Sequence, residues 1–154
     1  MAVVGSGEHA DASAPQDAQH PDRRTVLVQV KASASDLPPL RVVAADLAAR
    51  AEFDLDTVAD LRLAVDEAAS ELVAIAAPGA SVTCIFSLDA KQMEVAVSVP
   101  ARPGVCLRQD SFGWRVLTTL VDEVRASGDP DADPPVLGIS LCKQRPVTTL
   151  AQHR

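Results

Sequence analysis

The chain has 154 residues, a net charge of -7 at neutral pH and a hydrophobic content of 47%. This is enough material for one hydrophobic core, which excludes a two-domain enzyme. Aromatic residues make up only 3% and acidic residues outnumber basic ones by 21 to 14, which argues against stacking on single strands and against a basic footprint for nucleic acid. A protein partner or a small ligand remains.

Histidine and cysteine chemistry has little support. The three histidines lie in polar segments near the chain ends, at His9, His20 and His153. Neither a catalytic triad nor a histidine zinc site is therefore expected. The three cysteines are widely spaced and form no CxxC, at Cys84, Cys106 and Cys142. Together with the lack of a recognisable signal peptide or membrane span, this favours a cytoplasmic protein.

The first elements are a polar arm, a strand and a helix. Residues 1–22 carry no hydrophobic period, which predicts a disordered N-terminal arm. Residues 25–31 place three valines on one face and predict a strand. Ser35 or Asp36 is then expected to cap a helix that has a proline in its first turn and continues to about Ala51.

The clearest periodic segment predicts a long second helix. Apolar residues recur at spacings of three and four between Thr57 and Ala76, which gives the helix one buried face. Asp54 or Asp56 is expected to cap it.

Two strands and a third helix follow. Residues 81–88 and 93–99 alternate in polarity and predict a hairpin. Ser111 is expected to cap a helix that carries Trp114 and Val124 and stops at Gly128. After an acidic loop, residues 136–142 predict the last strand.

The order β-α-α-β-β-α-β predicts a two-layer α/β (α+β) sandwich. We expect a mixed sheet of about four or five strands, covered on one face by three helices. Residues 23–143 form the predicted domain, followed by a C-terminal tail over residues 144–154.

Two carboxylates share one side of the second helix. Glu67 and Glu71 are four residues apart and therefore lie on the same face. Periodicity alone leaves two interpretations open, a solvated helix side or a catalytic pair.

The same helix carries a family resemblance. The run Asp60 to Glu67 reads DLRLAVDE and resembles the N box of the GHKL ATPases, whose helix reads A-V-x-E-A-x-x-N-A. Residues 113–124 resemble the last helix of that family, with its pattern ending in D-E-V. The chain is therefore similar to the bacterial anti-sigma factor and serine-protein kinase family, and in particular to its actinobacterial members.

The resemblance implies a Bergerat-type fold, an ATP and Mg²⁺ site and protein partners. Glu67 would be the general base, and Glu71, Gly104 and Gly113 would belong to the nucleotide and metal site. Arg41 on the first helix would contact a partner. The implied partners are a sigma factor and an anti-anti-sigma factor, and the implied assembly is a homodimer.

Three departures from the family pattern predict a degenerate ATP site. Glu71 stands where the family has the Mg²⁺-binding Asn. Residues 100–104 read PARPG in place of D-x-G-x-G, so the adenine-reading Asp is absent. The second glycine box keeps only Gly113, and the lid is reduced to residues 105–112.

Three hypotheses follow. The first is an anti-sigma factor that sequesters an alternative sigma factor of the stress or sporulation type and is countered by an anti-anti-sigma partner. The second is an active ATP-dependent serine-protein kinase that phosphorylates that partner. The third is a structural adaptor with neither activity. Cys106, in the shortened lid, is either a redox handle on partner binding or an inert cysteine.

Overall fold

The described part of the chain folds into a five-stranded sheet with three α-helices. A computed structural model describes residues 22–146. The predicted arm up to Pro21, the three histidines and the tail from residue 147 lie outside the described residues. In chain order the elements are β1 (Arg24–Lys31), α1 (Pro38–Arg50), α2 (Leu55–Val73), β2 (Ser81–Leu88), β3 (Gln92–Pro100), α3 (Phe112–Leu120), β4 (Glu123–Asp129) and β5 (Val136–Gln144).

The helix starts follow local chemistry, with one correction. Asp54 caps α2, because its Oδ1 accepts a hydrogen bond from the Thr57 amide at 2.8 Å. The predicted cap of α1 by Ser35 or Asp36 is wrong, since Ala34–Asp36 form a short 3₁₀ turn and Leu37 is the cap residue. The α1 helix starts without a side-chain cap and has proline in its first turn, where a missing amide proton costs nothing.

The two-layer α/β sandwich is confirmed, but the sheet is antiparallel throughout and not mixed. Its strand order is β1-β2-β3-β5-β4, and every neighbouring pair is antiparallel. Strands β3 and β4 both run opposite to β5 and are therefore parallel to each other. Because β5 inserts between them, this parallel pair never becomes a ladder.

The segment after α3 is a strand, which corrects the prediction of one helix from Ser111 to Gly128. The helix ends at Leu120, where Val121 already has extended backbone angles. All of residues 123–129 then pair with residues 136–142 of β5. The backbone hydrogen bonds of this ladder outweigh the helical spacing of the apolar residues. Gly128 has a positive φ of +106°, and a Cβ there would lie 2.3 Å from the carbonyl oxygen of Val136, so this position of the strand requires glycine.

The core lies between the helices and one face of the sheet. Alternate residues of β3 are buried, at Met93, Val95, Val97 and Val99, and they face the buried side of α2. Trp114 and Cys84 lie in this core. Cys142 does not, because its side chain is on the opposite sheet face, where the thiol lies 3.4 Å from the Gln92 side-chain oxygen.

No helix within residues 22–146 is long and apolar enough to cross a membrane.

The buried stripe of α2 gives a stability prediction. Leu72 is fully buried, whereas Leu63 on the same helix is 52% exposed. We expect Leu72→Ala to lower the free energy of unfolding by about 2–5 kcal/mol, because the cavity it leaves cannot refill. The matched change Leu63→Ala should stay within about 0.5 kcal/mol of the unmodified protein. Urea denaturation measures both, and equal losses would contradict this assignment of the two helix faces.

Candidate functional site

Two carboxylates of α2 converge on one glycine of α3. Glu67 and Glu71 are one turn apart, and Gly113 is buried in the first turn of α3. A Cβ placed on Gly113 would lie 1.9 Å from Glu71 Oε1 and 2.6 Å from Glu67 Oε2. Only glycine leaves this space to the carboxylates, so the two helices meet here through acidic side chains packed on bare backbone.

Ser111 connects the same carboxylate to the start of α3. Its side-chain oxygen accepts a hydrogen bond from the Trp114 amide at 3.0 Å, which makes it the helix cap. Its hydroxyl donates to Glu71 Oε1 at 3.4 Å. The predicted cap is therefore confirmed, and it also holds Glu71 at the N-terminal end of α3, where negative charge is favourable.

Burial and neighbouring charge act on Glu67. Its partly buried position, followed by the charges of Glu71 and Asp66, raises the pKa of the Glu67 carboxyl above its ordinary value of 4.5. A carboxylate with a raised pKa accepts a proton more readily near neutral pH. This is the property that a general base needs, although like-charge crowding in a structural contact produces it equally well.

Gly104 is not part of this cluster. It has a left-handed conformation (φ +82°), and a Cβ there would have no atom within 4 Å. It is an exposed turn residue whose Cβ position does not contact the carboxylates beside Gly113. Of the four residues implied for the nucleotide site, the structure therefore brings together Glu67, Glu71 and Gly113 and leaves Gly104 apart.

The segment in place of the adenine-reading motif is bonded to the end of α2. The Arg102 amide donates to the carbonyl oxygen of Ile75 at 3.0 Å, and its guanidinium donates to that of Ala74 at 2.9 Å. The Ala77 amide donates to the carbonyl oxygen of Pro100 at 2.9 Å. These bonds hold the chain after β3 against the helix terminus.

The residues present do not fit Mg-ATP. Phosphate oxygens need close approach to backbone amides, which the glycine boxes of nucleotide sites provide. The open side of Gly113 is filled by the carboxylate of Glu71.

A second surface lies on the other flank of α2, against α1. Arg41 and Asp66 form a long ion pair, with Arg41 Nη1 3.7 Å from Asp66 Oδ1. Arg41 lines two adjoining depressions of about 230 and 420 Å³, and Arg62 lines both as well. The exposed apolar side chains of Val42 (67%) and Leu63 (52%) lie on the same surface. We call these five residues the α1–α2 surface.

Sequence reasoning named only Arg41 on this surface. Val42 and Leu63 fall outside the apolar stripes of their helices. In the sequence, an apolar residue outside such a stripe indicates a candidate interaction surface. Arg62 and Asp66 are four residues apart on α2, which places them on one face. That this face borders Arg41 depends on how α1 packs on α2.

The raised pKa of Glu67 predicts how stability depends on pH. A carboxyl whose pKa is higher in the folded state than in the unfolded state binds protons preferentially when folded. Its contribution is favourable at low pH and is lost as pH rises from the ordinary value of 4.5 through the raised one.

We therefore expect Glu67→Gln to be more stable than the unmodified protein at pH 7, with the difference vanishing by about pH 4. Thermal unfolding across this pH range measures it. Asp131→Asn, in the acidic loop, makes the same charge change and serves as control. A difference between Glu67→Gln and the unmodified protein that is constant with pH would refute the assignment.

Comparisons with known proteins agree with this fold. Residues 30–133 match the family described as the histidine kinase-like ATPase domain. The chain is 35% identical over 144 residues to the anti-sigma-F factor RsbW of Mycobacterium tuberculosis, from strains CDC 1551 / Oshkosh and ATCC 25618 / H37Rv, and the match covers 88% of this chain and 83% of each relative. The chain therefore belongs to the histidine kinase-like ATPase domain family, among its RsbW-type anti-sigma factors.

Proposed function

We propose that this protein sequesters an alternative sigma factor and releases it when an anti-anti-sigma protein competes for the same surface. The family supports this role, because the relatives carry the name anti-sigma-F factor. The observation that carries the proposal to particular residues is the α1–α2 surface. It combines two cations with exposed apolar side chains in a chain whose net charge is -7.

Arg41 has the properties of an interface anchor. Its side chain is 38% exposed, and its ion pair with Asp66 is too long and too solvated to contribute much stability. A carboxylate from a partner can therefore replace Asp66 at little cost, and it gains a planar, multiply donating guanidinium. Val42 and Leu63 supply apolar area that a partner would remove from water.

The acidic composition favours action through a protein. Binding to DNA depends on clustered lysine and arginine that neutralise phosphates, and this chain has 21 acidic against 14 basic residues. Sequestration of a sigma factor needs only a complementary surface on the folded domain. We accordingly place the protein in the cytoplasm and expect it to act as a homodimer, as its family resemblance implies.

The alternative activity, phosphorylation of a serine on the anti-anti-sigma protein, has weaker support. It assigns Glu67 as general base, and the raised pKa of that carboxyl suits the role. It also requires Mg-ATP beside Gly113, where the Glu71 carboxylate already lies. We therefore derive no phosphotransfer step.

Charge reversal at Arg41 tests the proposal. We expect Arg41→Glu to weaken binding of a sigma-F-type sigma factor by at least about tenfold, since one buried charged anchor is worth about 1.4 kcal/mol or more. The binding is measured by titration calorimetry without nucleotide. A loss smaller than threefold would count against this surface.

Arg50→Glu is the matched control for the same experiment. Arg50 lies nine residues further along α1, half a turn around the helix, and pairs with Asp46. The Arg50→Glu substitution reverses the same charge on the same helix, but away from the α1–α2 surface. We expect it to bind the sigma factor as the unmodified protein does.

A further inference from the structure

The place where the family resemblance puts the phosphates of a nucleotide is filled by the chain itself. Glu71 Oε1 lies 1.9 Å from the position that an ideal Cβ on Gly113 would occupy. While this oxygen stays there, no ligand atom can approach the open side of Gly113 as closely. The Ser111 hydroxyl, 3.4 Å away, donates to the same oxygen. An anion that enters this space must therefore first displace a carboxylate.

The charges reinforce this steric exclusion. Glu67 Oε2 is the second oxygen beside Gly113, at 2.6 Å from the same Cβ position. A triphosphate that approached the start of α3 at Gly113 would therefore meet two carboxylates. The favourable effect of the helix N-terminus on an anion is already used by Glu71.

The segment in place of the adenine-reading motif is also bonded within this chain. Arg102 donates from its guanidinium to Ala74 and from its backbone to Ile75, just after α2 ends, and Pro100 accepts a hydrogen bond from Ala77. Ala101 is fully buried and bridges to Ala76. The two segments that the resemblance assigns to the nucleotide, at Gly113 and at residues 100–104, thus both contact groups of this chain.

We propose that Glu71 is a built-in substitute for the nucleotide phosphate, which closes the ATP site and makes partner binding independent of nucleotide. The carboxylate supplies the negative charge at the start of α3 and ties that helix to α2 through Ser111. This proposal goes beyond sigma sequestration and rests on the geometry around Gly113, so that it can fail without affecting the α1–α2 surface.

The experiment is a titration of the purified full chain with two probes, Mg-ATP and magnesium tripolyphosphate. The tripolyphosphate has no adenine and therefore requires only the space beside Gly113. Its binding does not depend on the contacts of Arg102. For the unmodified protein we expect no saturable binding of either probe at millimolar concentration.

Glu71→Asn is the informative variant, because it restores the neutral side chain of the family pattern and shortens it by one methylene. A like-charge repulsion across about 6 Å at an effective dielectric constant of about 20 corresponds to roughly 100-fold in affinity before screening. We expect the variant to bind magnesium tripolyphosphate at least about tenfold more tightly than the unmodified protein does.

Asp56→Asn is the matched control for charge. It makes the same charge change on the same helix, 15 residues away and so about 22 Å along the axis, and should leave tripolyphosphate binding unchanged. Glu71→Gln keeps the length of the side chain and removes its charge. It provides a second folded variant if the shorter side chain lowers the melting temperature.

Each outcome decides the proposal. Binding of Mg-ATP by the unmodified protein at micromolar concentration would overturn it, since the site would then be open. A folded Glu71→Asn protein and a folded Glu71→Gln protein that both fail to gain affinity would also overturn it, because Glu71 would not be what closes the site. A gain in either variant, with none in Asp56→Asn, supports it. None of these measurements involves a sigma factor, so the proposed function is tested separately by Arg41→Glu.

Discussion

The packing of α2 on the sheet is the contact on which the rest of the molecule depends. Six of its residues are fully buried, namely Leu61, Ala64, Val65, Ala68, Ala69 and Leu72. The alanines among them let the helix approach the sheet closely, while the leucines and Val65 supply most of the apolar area. With one side fixed to the sheet, α2 has two flanks left, and each carries a different chemistry.

The two flanks give a physical basis for the proposal that this helix keeps a family sequence while its nucleotide site is closed. Towards α3 the flank presents Glu67 and Glu71, which meet over Gly113. Towards α1 it presents Arg62 and Asp66, which border Arg41. Asp66 and Glu67 are adjacent in sequence and about 100° apart around the helix. Closure of the proposed nucleotide site by Glu71 therefore need not disturb the proposed partner surface on the other flank.

On the flank towards α3, the residue at position 71 determines which chemical group faces Gly113. An asparagine at position 71 would offer a short neutral group, whereas glutamate reaches the start of α3 and places a charge there. The Ser111 hydroxyl and the bare backbone of Gly113 provide the environment that this carboxylate occupies. Partial burial, followed by the nearby charges of Glu71 and Asp66, raises the pKa of Glu67.

Local periodicity predicted those elements whose residues contact the core in a regular repeat. The α2 helix, its Asp54 cap, the β2–β3 hairpin and the Ser111 cap of α3 all follow from neighbours within a few residues, as does the convergence of Glu67 and Glu71 on one face. The same reasoning failed after Leu120, because Val121 and Val124 fit a helical repeat as well as a strand. What decides between them is the ladder to β5, whose paired residues lie 7 to 19 positions apart in sequence, and no local pattern contains that information.

The sequence by itself determined the two-layer architecture and the helix that carries both carboxylates. It also determined the resemblance to a family from whose site pattern this chain departs. Only the tertiary structure decided that the sheet is antiparallel, that Gly104 makes no contact with the carboxylates beside Gly113, and that the Glu71 carboxylate lies on the open side of Gly113. The reason is physical. Caps and apolar repeats act over one or two turns of chain, whereas strand order and the meeting of α2 with α3 depend on packing between segments about 40 residues apart, such as Glu71 and Ser111.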